Sequence, residues 1–178
     1  MIRPHRAFSI ISRGVLTAAA MAIGCSTGQE VRSSPSPLYH LIDGRQVDMA
    51  PAVAKLEMVI PYSPRFDLVL RGRRATYRVN DRRPTFLSGY QAGDLTLVRL
   101  KPGDDHDDRN LKVMVNRQGK GLEIPVKETV ELIVDSEPGG LLRLTPRLSL
   151  EPGEYGFVSQ SDIKEVTRFV KMFDFGVD

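Results

Sequence analysis

Hydrophobic and polar residues alternate in short runs along most of this chain, and turn-forming residues break the runs at close intervals. The segment YHLI, the dipeptide Asp43-Gly44 and the segment RQVDM predict a β-hairpin, because Asp-Gly accepts the positive φ angles of a tight primed turn. Further strands are expected at 53–60, 66–71, 75–80, 85–90, 95–100, 111–116, 129–135, 141–145, 154–160 and 169–176. Between them stand Pro-Gly-Asp, Gln-Gly-Lys-Gly, Glu-Pro-Gly-Gly and similar turn signals. Only residues 162–169 have helical spacing, over too short a stretch to organise a fold. Many short strands at regular spacing imply an all-β domain over 38–178, with the layout of an antiparallel β-sandwich.

One turn sharpens that expectation. Leu150-Glu-Pro-Gly-Glu-Tyr155, followed by the strand GFVSQ, resembles the turn before the penultimate strand of fibronectin-III-like and other immunoglobulin-like domains. In those domains a tyrosine hydroxyl bonds back to the backbone at the corner between two strands. The resemblance implies that Tyr155 is a structural residue and that 169–176 is the last strand of an immunoglobulin-like sandwich. The segments PTF, LVRL, PGEY and FDFGV also resemble those of uncharacterised secreted bacterial proteins, a likeness that carries no assigned activity.

The N-terminal stretch follows a different pattern. Arg3, Arg6 and Arg13 precede Val15–Ile23, a run that is apolar except for Thr17, and no acidic residue occurs before Glu30. A run of this length is well short of the ~20 helical residues that span a bilayer, and it suits the apolar core of an export signal. Cys25, the single cysteine, closes it. The stretch resembles the signal peptide of bacterial lipoproteins, with Ala22, Ile23, Gly24 and Cys25 in the lipobox positions. Ala22 stands where that family most often has leucine. The resemblance implies cleavage after residue 24, acyl chains on Cys25 and a place in the bacterial cell envelope; Ser26 after the cysteine favours the outer membrane by the sorting rule of enteric lipoproteins. Residues 26–37, STGQEVRSSPSP, are polar and rich in Ser and Pro, and predict a flexible tether reaching ~20 Å. The expected organisation is a signal peptide at 1–24, a lipidated Cys25 with its tether to 37, and one domain at 38–178.

Charge supports this division. The signal holds three of the 25 basic residues and none of the 22 acidic ones, so residues 25–178 carry 22 of each. The basic balance belongs to the signal and gives no argument for nucleic acid as a partner. With Cys25 lipidated, no thiol is left for a disulfide, redox or thiolate-metal site.

Two clusters could carry binding. Arg71, Arg73, Arg74, Arg78, Arg82 and Arg83 crowd around Tyr77, and guanidinium forks suit carboxylate or phosphate. The same arginines also fit solvent-facing positions of two strands, paired with Asp67, Asp81 or Asp94. Asp104, Asp105, His106, Asp107 and Asp108 offer a dense set of metal ligands. Their spacing does not match the D-x-D-x-D-G…E calcium loop, and a solvated hairpin end explains them as well. For catalysis the inventory is thin: His40 and His106 are the only histidines after the signal, and no nucleophile elbow, zinc-binding His pair or glycine-rich phosphate loop occurs. No cofactor is implied. The expectation is a non-catalytic, membrane-anchored β domain that contacts another envelope protein through a sheet edge or the aromatic segments 85–90 and 169–175. A ligand- or carbohydrate-binding module is the alternative, weakened by the absence of Trp, and a hydrolase comes third.

Overall fold

The computed structural model describes residues 37–59, 65–103, 107–165 and 168–178. The expected signal, Cys25 and nearly all of the tether lie outside these residues, as do Asp104, Asp105 and His106. In chain order the strands are β1 (Leu38–Ile42), β2 (Arg45–Asp48), β3 (Ala52–Met58), β4 (Arg65–Arg71), β5 (Arg78–Val79), β6 (Thr85–Ser88) and β7 (Leu95–Pro102). They continue with β8 (Asp108–Val115), β9 (Leu122–Glu123), β10 (Thr129–Val130), β11 (Leu132–Ser136), β12 (Leu142–Pro146), β13 (Gly153–Ser159) and β14 (Phe169–Val177). Among the described residues the single α-helix, α1 (Gln160–Lys164), is short and follows β13, and two 3-10 turns lie at Val126–Glu128 and Pro138–Gly140. Every pairing is antiparallel except that of β5 with β14. The domain is therefore all-β.

The first hairpin forms as expected: Asp43 and Gly44 take φ of 48° and 77° between β1 and β2. Five strands make one sheet in the order β11-β12-β6-β1-β2. The other nine make a second sheet, and there the layout departs from a sandwich. Strands β7, β13, β14, β3, β4 and β8 pair in sequence, and β8 turns back onto β7 through Lys101↔Asn110 and Pro102↔Arg109. The second layer is thus a closed six-stranded barrel.

The physical reason lies in β13 and β14, which are apolar on both faces. One face of these strands carries Tyr155, Phe157, Phe173, Phe175 and Val177, which meet Leu38, Phe86 and Leu144 of the five-stranded sheet. The other carries Val158, Val170 and Met172, which meet Ala54, Leu68, Leu70, Leu111 and Val113 inside the barrel. In a flat sandwich layer the second face would lie against water. Closing the sheet buries it, at roughly 1.5–3 kcal/mol for each large side chain. Gly156 keeps the barrel narrow: a Cβ there would sit 2.7 Å from the Met172 sulfur. At one mouth α1 folds across the opening and inserts Ile163, which is fully buried.

The expected strand 129–135 is split. Its first part, β10, pairs with β7 of the barrel, and its second part, β11, pairs with β12 of the facing sheet, so the chain changes layers at Glu131. The expected strand 75–80 shrinks to β5, and β9 was not foreseen. Among the described residues, no helix is long and apolar enough to cross a membrane.

Candidate functional site

The charged residues that matter most to this domain lie far apart in sequence. Arg109, on the inward face of β8, is only 4% exposed. Its guanidinium donates to Asp174 at 2.7 Å, to Glu154 at 3.4 Å and to the carbonyls of Gly72 and Arg71. Glu154 also accepts from Arg78 and from the Ala75 N–H, and Arg78 reaches on to Asp178. Glu154, Asp174 and Arg109 occupy inward positions of β13, β14 and β8, so this network fills the barrel mouth opposite α1. Hydrogen bonding from Arg78 holds the Asp178 carboxyl below its ordinary range. Gly176 makes room for the network, since a side chain there would overlap the Arg78 guanidinium.

The residues of the expected arginine cluster take different environments. Arg78 is committed to Glu154 and Asp178, which were not among the expected partners. Arg83 donates its side chain to the Pro146 carbonyl and its N–H to Asp81. Arg71, the last residue of β4, and Arg73, Arg74 and Arg82 in the bends that follow are exposed. Asp94, expected to pair with an arginine, instead accepts from the Ser161 N–H and the Ser159 hydroxyl at the start of α1. Of the acidic loop, Asp107 and Asp108 are described, and no group of three or more candidate ligands is positioned to hold a metal among the described residues. The Tyr155 hydroxyl donates to the Glu151 carbonyl at 2.8 Å while its ring stacks on Phe175. His40 is buried, in contact with Phe86 and hydrogen-bonded through Nδ1 to the Tyr77 hydroxyl. Burial pushes its pKa down, opposed by Asp81. The aromatic segments foreseen as a contact surface are largely core: Phe86, Phe173 and Phe175 are buried, and only Phe169 is exposed.

Sequence reasoning missed an opening with apolar walls. Between the barrel wall and the facing sheet lies a cleft of about 360 Å³. Leu95, Leu97 and Val130 form its barrel side, and Leu132, Val134, Leu142 and Leu144 its sheet side. Its rim is polar: Ser88, Gln91, Thr96, Thr129 and Gln160, with Gln160 donating to Thr96 at 2.7 Å. The layer switch at Glu131 lies beside it, since Val130 of β10 and Leu132 of β11 both line the cleft. β11 is an edge of its sheet, and Val134 on its inner face is 46% exposed. An apolar floor, convergent amides and hydroxyls, and a strand at the edge of its sheet among the described residues suit an extended peptide or a small apolar ligand. The split of 129–135 between two layers leaves no local sequence signal, so the cleft could not be foreseen.

The chain matches no protein-family model, no curated protein and no solved structure.

Proposed function

We propose that this chain is a lipid-anchored protein of the bacterial cell envelope, held through Cys25, whose β domain binds an extended segment of another envelope protein along the interlayer cleft. The observation that carries the recognition half is the cleft itself: apolar side chains from both layers converge beside the free edge of β11. A peptide added to that edge would form main-chain hydrogen bonds to β11. Alternate side chains would then drop onto Leu132, Val134 and Leu142. The anchoring half is supported by the sequence from Arg3 to Cys25. The charged network offers structural ion pairs, and the domain is read as non-catalytic. A small apolar ligand is the second reading, favoured by the cleft's volume, which falls within the range of small-molecule sites.

Both halves are tested in cells. Radiolabelled palmitate is expected in the wild type and not in Cys25→Ala. A photo-crosslinking residue at Val134 is expected to yield a discrete protein adduct, with none from the same residue at Val53, which is exposed on the outer barrel wall. Equal adducts at both positions, or none at Val134, would sink the peptide reading; a copurifying lipid or other apolar molecule in the latter case would favour the second.

A further inference from the structure

The barrel mouth closed by α1 carries more exposed apolar surface than a solvated rim needs. A chain of contacts runs around it. A Cβ on Gly121, in the turn after β8, would meet the Lys164 carbonyl of α1 at 2.7 Å. Met114 pairs with Arg65, whose carbonyl accepts from the Val59 N–H, and the Leu56 N–H donates to the Arg168 carbonyl. On this rim Met58, Val59, Met114 and Phe169 are exposed by 56%, 48%, 39% and 55%. Contiguous exposed apolar surface marks a contact site, and the neighbours Met58 and Val59 share this opening with Met114 and Phe169.

Basic residues stand among them. Arg117 and Lys120 sit in the turn between β8 and β9, Lys164 ends α1, and the Arg168 guanidinium lies 5.6 Å from the centre of the Phe169 ring. All four are exposed. The acidic residues nearby are Glu57, which pairs with Lys55, and Asp67, Glu123, Asp162 and Glu165, while Lys112 and Lys127 add positive charge beside Val59 and Met114. Apolar tips ringed by Lys and Arg match a bilayer surface bearing anionic headgroups, where the tips enter the interface and the cations meet phosphate.

We infer that this rim lies against an anionic phospholipid surface, so that the domain sits on the membrane in one orientation. The inference rests on the surface chemistry of the rim and stands apart from lipidation.

The test uses the full chain with Cys25→Ser, which removes acylation, and single cysteines at Met58→Cys, Phe169→Cys or, as control, Leu148→Cys on the β12–β13 connection. Each carries an environment-sensitive fluorophore. With phosphatidylcholine–phosphatidylglycerol vesicles, a blue shift and several-fold brightening are expected at positions 58 and 169 and not at 148. Added salt should reverse them, and Arg117→Glu with Lys120→Glu should lower vesicle affinity at least about tenfold. The N-terminal apolar run is common to all variants, so binding through it alone would leave the rim probes unshifted and overturn the inference. An equal response at Leu148→Cys, or on phosphatidylcholine alone, would overturn it too. Loss of palmitate labelling would sink the anchor while leaving this result standing.

Discussion

Arg109 is the residue on which the far barrel mouth depends. Two carboxylates, Asp174 and Glu154, share its guanidinium with little exposure of their own, at 12% and 15%. Removing one member of such a cluster strands the others in a poorly solvated place, which costs more than the pair contributes. Arg109→Met is expected to destabilise the domain by about 3–5 kcal/mol, read from urea midpoints, and Arg109→Met with Asp174→Leu should recover part of that loss. His40 gives a pH signature. Its folded pKa lies below the unfolded value of about 6.5, because burial disfavours the charged ring. The unfolded chain therefore binds the proton first as pH falls. Stability should be full above that value, decline below it and level off once the folded pKa is passed. Thermal midpoints measured between neutral and mildly acidic pH check this, and His40→Gln should flatten the slope. Asp178, held low by Arg78, adds its loss only in the carboxylate range. The three partners Arg109, Glu154 and Asp174 each sit as a charged residue on the apolar face of a strand, beside Leu111, Gly156 and Met172. That pattern was present in the sequence. What the sequence could not show is that three strands bring those faces together, since their pairing is non-local.

The short helix acts as an element well beyond its length. α1 has one turn and little intrinsic stability, and it persists because Ser159 and Asp94 bind its first N–H groups while Ile163 fills the barrel. Ile163→Ala is expected to cost about 2–5 kcal/mol, the range for deleting a buried aliphatic side chain that leaves a cavity; denaturant titration measures it, and a loss below half a kcal/mol would show the plug to be dispensable. Spacing in the sequence located a helical segment near here but could not reveal this role, because one buried residue in five carries no periodicity. Strands fared better. The β1–β2 hairpin was legible through Asp43-Gly44, and most strands fall within a residue or two of where alternation places them. The failures have a common cause: β5, β9 and the split of β10 from β11 are set by which neighbours are available to pair, not by local pattern.

At the scale of the whole molecule, fold class was readable and closure was not. Alternation tells which residues turn inward, but a sandwich and a barrel share that period. The distinguishing sign was the two apolar faces of GEYGFVS and FVKMFDFGV, which a single flat layer cannot satisfy. The same strands bind the architecture to a sequence of events in time. Neither core can close until residues 169–177 arrive, because β14 contributes to both and pairs with β3 more than a hundred residues earlier. A chain delivered from its N-terminus, by a ribosome or through a narrow translocation pore, must wait in an open state until that late segment appears. Such long-range closure is intrinsically slow, and the delay keeps the polypeptide threadable for the export proposed above.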